Sequence, residues 1–274
     1  MSGSPTVRRR RLSYLLRDLR ESKGYTAQFV TDQLDWSRGK LTHIEQNQWK
    51  RPNRRDIEDL LDIYEVTDEG KRDAALSLVK QARQRGWWVS YSDVWGSGTF
   101  VGLEAEASSI RTFEALAIPG LLQTEEYARA VVRSGGITDD DEVDRRVQAR
   151  MMRKQVLSAP KAPLYWAVID EAALRKCSSE QLSHLLEVQS PRLGIQILPD
   201  SVGPHAALTA PFVILDFPEP DPGVVYVDTG SDELYLEKPP HLARYETLWR
   251  HIQATALSTD DSRQLISALR QAKK

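Results

Sequence analysis

The sequence has few features of secreted or membrane proteins. Cys177 is the single cysteine, which excludes an intrachain disulfide and a zinc site built from several cysteines, and it fits a reducing cytosol. No run of about 18 apolar residues occurs, so we expect no membrane-spanning helix. The basic N-terminal residues are followed by no apolar segment, which argues against a secretory signal. These absences predict a cytoplasmic protein with no membrane association.

Catalytic motifs are missing as well. The histidines lack metal-binding spacing such as H-E-x-x-H, and there is no G-x-S-x-G motif and no phosphate-binding loop. One acid–base pairing stays open, because Asp170 and Glu171 end a predicted strand and His205 lies in a loop containing proline and glycine. Acidic residues that cap the following helix explain Asp170 and Glu171 equally well. We therefore expect no enzymatic activity, no cofactor and no metal.

Charge is distributed unevenly along the chain, whose formal net charge is −2. Residues 1–55 contain 13 Lys/Arg and 5 Asp/Glu, a net charge of +8. The remaining residues contain 24 Lys/Arg and 34 Asp/Glu, a net charge of −10. A basic head on an acidic body indicates that only the head binds a polyanion.

Apolar periodicity predicts short amphipathic helices in residues 12–66. The spacing i, i+3, i+4, i+7 occurs twice, at Leu12, Leu15, Leu16, Leu19 and at Ile57, Leu60, Leu61, Tyr64. Between these two helices, Thr26 is expected to cap a helix that turns Phe29, Val30 and Leu34 inward. Asp35 is expected to adopt a left-handed conformation at the next turn. The pattern predicts an all-α head of five helices.

The stretch from Thr26 to Glu45 is the most informative part of the head. It predicts two short helices joined by a tight turn, and the second begins behind Ser37 with Leu41 and Ile44 as its apolar edge. A short helix with a polar, basic outer face suits the major groove of DNA. The expected base-reading residues are Arg38, Gly39, Lys40, Thr42 and His43.

A second group of residues is expected to contact DNA phosphates. A basic loop follows the third helix, and residues 1–11 are expected to form a flexible basic arm that touches phosphates or reaches a minor groove. The start of a solvated helix is an equal alternative for the arm. The expected phosphate contacts are Thr26, Ser37, Lys50, Arg51, Arg54, Arg55, Arg10 and Arg11.

The head resembles the Xre-type (lambda-repressor-like) helix-turn-helix domain over roughly residues 10–66. The resemblance rests on the segments GYTAQFVTDQLDWSRGKLTHIEQ and RPNRRDIEDLLDIY. The resemblance implies that Glu45 bonds within the domain. Ala27 departs from the glutamine common in that family, which puts one phosphate contact in doubt. Gly39 has two interpretations: close approach of the backbone to DNA, or drift at an exposed site that costs the helix roughly 1 kcal/mol.

The rest of the chain is predicted to be a helical connector, residues 67–85, and a C-terminal domain, residues 86–274. Residues 85–100 are rich in aromatic side chains, which either pack one domain on another or line a pocket. Residues 103–117 are expected to be helical. Four or five strands follow, of which PLYWAVID and LGIQILP form a parallel βαβ-like unit and the later ones an antiparallel meander. The overall class is therefore α+β, with a mixed four- to five-stranded sheet and flanking helices.

The C-terminal part resembles the domain of unknown function found behind Xre-type heads in actinobacterial developmental regulators (WhiJ-like). The resemblance rests on the following segments, in this order: RGWW, LEAEAS, IPGLLQTEEYARAV, RMMRKQVL, VIDEAALRK, QILPDSVGPHAAL, FVILDF and VVYVD. The resemblance implies a regulatory or interaction domain and a small companion protein encoded nearby. An effector or partner pocket is hypothesised at Trp87, Trp88, Tyr91, Glu171 and His205.

The sequence thus predicts a transcriptional regulator that binds double-stranded DNA sequence-specifically. A single head covers too few base pairs for useful specificity, so a homodimer on a palindrome-like site is expected. The C-terminal domain would then mediate dimerisation, partner binding or both. The alternative is an antitoxin-like protein-interaction module with weak or non-specific DNA binding. Ala27 and Gly39 are the features that favour this alternative.

Overall fold

The computed structural model describes residues 4–49, 51–208 and 210–273. The chain forms two compact units, of which the first ends at Glu106 and the second begins at Ala107. Unit 1 is helical and unit 2 is built on a mixed sheet, which confirms the predicted α+β class.

Unit 1 is built around an apolar core that its first five helices share. The helices of this unit are α1 (Pro5–Ser22), α2 (Ala27–Gln33), α3 (Arg38–Glu45), α4 (Arg54–Ile63), α5 (Glu69–Ala82), α6 (Ser92–Trp95) and α7 (Thr99–Glu104). The periodic residues predicted to face inward mostly do so, since Leu12, Leu41 and Leu60 are fully buried. Phe29 is an exception, because it is 43% exposed and its ring centroid lies 4.8 Å from that of Tyr25.

The first four helices end in the same way. After each one, a residue with positive φ reverses the chain, and the next backbone N–H reaches back to a carbonyl of the last turn. The four residues are Gly24 (φ 71°), Asp35 (φ 51°), Asn47 (φ 55°) and Glu65 (φ 52°). Asp35 confirms the predicted left-handed turn. Short polar side chains thus end α2 and α3 where glycine is the commonest choice.

The structure corrects the boundaries expected for the head. Helix α1 begins at Pro5, so residues 5–11 are helical and do not form a flexible arm. Helix α5 packs against α1, and its Ala75 and Val79 are buried in the same core as Tyr64. It is therefore the fifth helix of the head and not a connector. Unit 1 continues to Glu106, beyond the predicted boundary near residue 86.

The aromatic segment after α5 is held in place by Trp88. A short 3-10 turn, Trp87–Tyr91, brings the Trp88 ring to 5% exposure. A methyl group added at Gly86 or Gly98 would lie within 2.4 Å of that ring, and one at Gly102 would lie 2.8 Å from it. Trp88 thus fills a space that exists only because three glycines surround it, which makes the ring part of a packed core and not the wall of an open pocket.

We expect Trp88→Ala to lower the free energy of unfolding by about 3–5 kcal/mol, because it leaves a ring-sized cavity that the surrounding glycines have no side chains to fill. Urea denaturation followed by circular dichroism measures the change. Trp87→Ala is the matched control, since Trp87 is only partly buried and should cost clearly less. Equal losses for the two variants would contradict the packing role assigned to Trp88.

Unit 2 contains a six-stranded mixed sheet in the order β3-β2-β1-β4-β5-β6. The strands are β1 (Ser109–Glu114), β2 (Leu164–Asp170), β3 (Leu193–Leu198), β4 (Phe212–Asp216), β5 (Val224–Asp228) and β6 (Glu233–Leu236). The pairs β1–β2 and β2–β3 are parallel, and β1–β4, β4–β5 and β5–β6 are antiparallel. The predicted parallel unit and antiparallel meander are both confirmed.

Strand β1 is the element that the sequence analysis placed wrongly. Residues 103–117 were expected to be helical, but α7 ends at Glu104 and the chain then runs extended from Ser109 to Glu114. The strand lies between β2 and β4 and buries Ile110, Thr112 and Phe113. Pairing on both sides outweighs the helix preference of the flanking Leu, Ala and Glu residues. The sheet therefore has six strands and not the expected four or five.

Helices surround the sheet of unit 2. They are α8 (Glu125–Ser134), α9 (Asp140–Lys154), α10 (Glu171–Arg175), α11 (Ser179–Glu187), α12 (Pro239–Thr255) and α13 (Thr259–Gln271). Trp249 and Ile252 of α12 pack in a core with Phe113, Ile214 and Val225 of the sheet. The outer strand β3 is bonded by the start of α13, since Ile197 N–H donates to Ser262 Oγ at 2.9 Å.

Glu114 ends β1 in a poorly solvated position. Burial raises its pKa to about 7, Asp228 nearby adds to the rise, and Arg153 opposes it. The ordinary carboxyl pKa is about 4.3, so the folded chain binds an additional proton between these pH values. The contribution of Glu114 to stability should therefore be fully present below the lower value and be lost as the pH rises through the higher one.

We expect this stability loss to disappear in Glu114→Gln, which keeps the shape of the side chain but cannot ionise. Between about pH 4.5 and 7.5 the wild type should lose about 1–3 kcal/mol more than the variant. Urea unfolding at a series of pH values measures the difference. Parallel pH profiles for the two proteins would show that Glu114 stays solvated.

Candidate nucleic-acid interface

Helix α3 presents one buried and one exposed side. Leu41 and Ile44 are 0% and 3% exposed and anchor the helix in the core of unit 1. Gly39 and His43 are exposed and Thr42 is half-buried, which places these three on the outer side at helical spacing. The predicted division of α3 into an apolar edge and a polar outer face is therefore present.

An ion pair fixes the C-terminal end of α3. Arg20 Nε and Nη2 of α1 donate to the two Glu45 carboxylate oxygens at 2.7 and 2.8 Å, and Arg20 Nη1 donates to the Tyr25 carbonyl at 2.7 Å. The hydrogen bonds that Arg20 donates to Glu45 raise the pKa of Arg20 against the opposing effect of burial. Burial, with the Glu45 charge second, raises the pKa of the Tyr64 hydroxyl. Glu45 thus bonds within the domain, as the resemblance implied.

Lys40, which was predicted to read bases, makes two contacts within unit 1. Its ammonium donates to Asp56 Oδ1 of α4 at 2.9 Å and lies 3.8 Å from the centroid of the Trp36 ring. Both contacts hold α3 to its neighbours, and they direct the charge along the side of the helix. A base contact by Lys40 would have to break the bond to Asp56.

Two of the predicted contacts fall where the structure gives no side-chain description. Arg38 begins α3, but its side chain lies outside the described part of the chain, and so does the whole of Lys50. The backbone position of Arg38 is the first residue after the N-cap Ser37. This is the end of the helix that reads base edges in helix-turn-helix proteins.

The remaining phosphate candidates are mostly at the surface. Arg51 and Arg55 are exposed and have no carboxylate partner among the described residues, while Arg54 Nε donates to Glu58 at 2.8 Å. Thr26 Oγ1 accepts from Phe29 N–H at 3.1 Å and so caps α2, which leaves its hydroxyl hydrogen available to a phosphate. Ser37 is exposed, and its hydroxyl makes no capping bond.

Arg10 was expected to contact phosphates, and the structure contradicts this. Its side chain is 2% exposed within α1, so no phosphate can reach it in this conformation. Arg11 is half-buried on the same helix. The physical reason is that α1 continues to Pro5 and packs residues 6, 7 and 10 inward, which turns part of the basic run towards protein.

Gln46 is a residue of the outer face that the sequence analysis missed. It follows the last turn of α3, is exposed, and lies at i+3 from His43 and i+7 from Gly39. Gln48 Nε2 donates to Gln46 Oε1 at 3.1 Å, which fixes the amide orientation. Counting the helix period one residue beyond the predicted helix end would have found it.

The hypothesised pocket in the C-terminal part draws on residues from both units. Trp87, Trp88 and Tyr91 belong to unit 1, where the rings of Trp87 and Tyr91 pack edge to face at 6.1 Å. Glu171 and His205 belong to unit 2 and are likewise engaged. Glu171 accepts from Arg175 at 2.7 Å and from Asp200 N–H at 3.1 Å.

The possible acid–base pair is brought together only loosely. His205 Nε2 lies 3.8 Å from Asp170 Oδ2, and the His205 ring packs edge to face on Phe113 at 5.6 Å. Asp170 Oδ1 accepts from Ala172 N–H at 2.9 Å and so caps α10, as the alternative interpretation predicted. These contacts account for both residues as structural groups.

Two kinds of feature are absent from the residues that the structure describes. No group of three or more His, Cys, Asp or Glu side chains has an arrangement that could hold a metal ion. Across the described ranges, no helix combines the length and apolar character needed to span a bilayer.

Comparison with known families matches both parts of the chain. A family profile described as "Domain of unknown function (DUF5753)" matches residues 97–268, and one described as "Helix-turn-helix domain" matches residues 11–75. The second match extends into α5, in agreement with the place of that helix in the head. No curated protein and no solved structure matches the chain.

Gly39→Ala distinguishes the two interpretations of Gly39. No atom lies within 4 Å of a methyl group added there, so alanine should raise the free energy of unfolding by about 1 kcal/mol. If DNA approaches the backbone at this point, the same methyl group lowers DNA affinity in fluorescence anisotropy. Gly70→Ala, in the first turn of α5, is the control and should leave affinity unchanged. Unaltered affinity for Gly39→Ala would show that DNA does not approach there.

Proposed function

This chain belongs to the DUF5753 family and carries a helix-turn-helix domain, and from this premise we propose that it is a sequence-specific transcriptional regulator. The observation that carries the proposal is the construction of α3. Its apolar edge is buried, its polar side is exposed, and the Arg20–Glu45 ion pair fixes it against α1. A helix held in this way is suited to insertion into the major groove.

The proposed contacts divide into two classes. Arg38, Thr42 and His43 read base edges, and Gln46 extends this set at the end of the helix. Arg51, Arg54 and Arg55 bind phosphates beside it, together with the hydroxyls of Thr26 and Ser37. Phosphate contacts position the head and make binding salt-dependent, whereas base contacts supply the sequence preference.

We further propose that the protein acts in the cytoplasm as a homodimer on a palindrome-like site and has no enzymatic activity. One helix-turn-helix head covers few base pairs, and two copies multiply the specificity. Unit 2 would supply the dimer contact, the surface for a small companion protein, or both. The resemblance to Xre-type heads and WhiJ-like regulators supports this arrangement.

The test begins with selection of DNA sites by the full-length protein from random duplexes, followed by salt-titrated binding to selected and unrelated sequences. Arg38→Ala should weaken binding by about 1–3 kcal/mol and relax the preference at one base position. Arg55→Ala is the matched control. It should weaken binding to all sequences alike and reduce the salt slope by about 1.

Three outcomes would count against the proposal. Absence of any sequence preference in the wild type would favour the rival function, an antitoxin-like interaction module with non-specific DNA binding. A uniform loss for Arg38→Ala would reassign this residue to phosphate binding. Selected sites without two related half-sites would contradict the homodimer.

A further inference from the structure

The basic run at the start of α1 makes contacts that its sequence does not predict. Arg8 and Arg9 are neighbours, yet they hold different parts of unit 1. Arg8 Nη2 donates to Glu106 Oε2 at 3.3 Å, and Glu106 Oε1 accepts from the Ser4 N–H at 2.7 Å. Arg9 Nε donates to Asn47 Oδ1 at 3.0 Å. The first turns of α1 are therefore anchored at Glu106 and reach the end of α3.

Asn47 occupies a defined place beside the proposed recognition helix. It is the residue of positive φ (55°) after α3, its N–H donates to the Ile44 carbonyl at 3.2 Å, and the Gln48 N–H donates to the His43 carbonyl at 2.9 Å. This is the bonding that ends a helix with a left-handed residue. A shift of the Asn47 side chain would therefore move the last turn of α3, which contains His43.

Arg9 is held in an environment that does not favour a charge. Burial lowers the pKa of its guanidinium, although the group stays protonated at any physiological pH. Removing a charge from water costs free energy that a solvent-exposed arginine would not lose. A half-buried guanidinium that donates to the Asn47 amide oxygen at 3.0 Å indicates a structural hydrogen bond within unit 1.

We propose that Arg9 is a positioning residue for DNA recognition, which acts through Asn47 to set the orientation of α3. The inference rests on the proposed function and extends it to a residue that does not touch DNA. Arg20 holds α3 at Glu45, and Arg9 holds the chain just past the end of α3 at Asn47. Two side chains of α1 therefore contribute to the orientation of the recognition helix, together with the burial of Leu41 and Ile44. Base readout depends on geometry held within about 0.5 Å and 10–20°. Phosphate binding by flexible arginines tolerates larger changes.

The experiment uses the full-length protein with Arg9→Met, Asn47→Gly and the double variant. Methionine keeps much of the apolar stem of Arg9 and removes the donor. Glycine removes the amide oxygen and accepts the positive φ of residue 47, so the helix end is preserved. Arg17→Met is the matched control, because it removes the same charge from an exposed position on the same helix, 3.9 Å from Glu21.

The measured quantity is the ratio of Kd for an unrelated duplex to Kd for the selected site, with the salt slope and thermal stability alongside. Arg9→Met and Asn47→Gly should each reduce the ratio by about fivefold, with salt slopes equal to that of the wild type. The double variant should lose no more than either single variant, because both remove the same bond. Arg17→Met should keep the ratio.

Each contrary result has a distinct meaning. A salt slope reduced by about 1 in Arg9→Met, with equal loss on all duplexes, would make Arg9 a phosphate contact and overturn the proposal. Additive losses in the double variant would show that Arg9 does not act through Asn47. A wild type with sequence preference that both variants retain would overturn this inference alone. A wild type without preference would overturn it together with the proposed function.

Discussion

The Arg20–Glu45 ion pair is the contact on which the head depends. Its side chains are 13% and 8% exposed, so both charges are largely removed from water and each needs the other. Loss of one partner from such a pair typically costs about 3–5 kcal/mol, since the remaining charge stays buried. The pair joins α1 to the end of α3, and the Arg20 bond to the Tyr25 carbonyl ties in the turn before α2. The outer face of α3 owes its position to this bonding and to the burial of Leu41 and Ile44.

The structure divides the positive charge of residues 1–55 into two classes. One class is bound internally: Arg8 by Glu106, Arg20 by Glu45, Lys23 by Glu65 and Lys40 by Asp56. The other class, represented by Arg51 and Arg55, is exposed beside α4 and has no carboxylate partner among the described residues. A net charge of +8 therefore overstates the charge available to a polyanion. We expect the exposed arginines to release counterions from DNA and to set the salt dependence of binding.

The second half of unit 1 shows how composition misleads without geometry. The density of aromatic residues after α5 is compatible with a pocket, but the Trp88 ring is enclosed by Gly86, Gly98 and Gly102 and has become core. In unit 2, β1 is flanked by helix-forming residues and yet lies between β2 and β4. Both outcomes follow from partners distant in the sequence, which local preference does not include.

The amino-acid sequence was sufficient to predict the first five helices of unit 1, the exposed and buried sides of α3, the α+β class and the pairing direction of most strands. It could do so because these features follow from local periodicity, capping residues and the length of apolar segments. Tertiary structure alone decided that Arg10 is buried, that Lys40 bonds to Asp56, that α5 belongs to the head and that residues 109–114 form a strand. Each of these depends on which group another element places opposite the residue. The sequence shows that a residue is charged, but it does not show whether that residue pairs with a carboxylate of its own chain or binds the phosphate of a ligand.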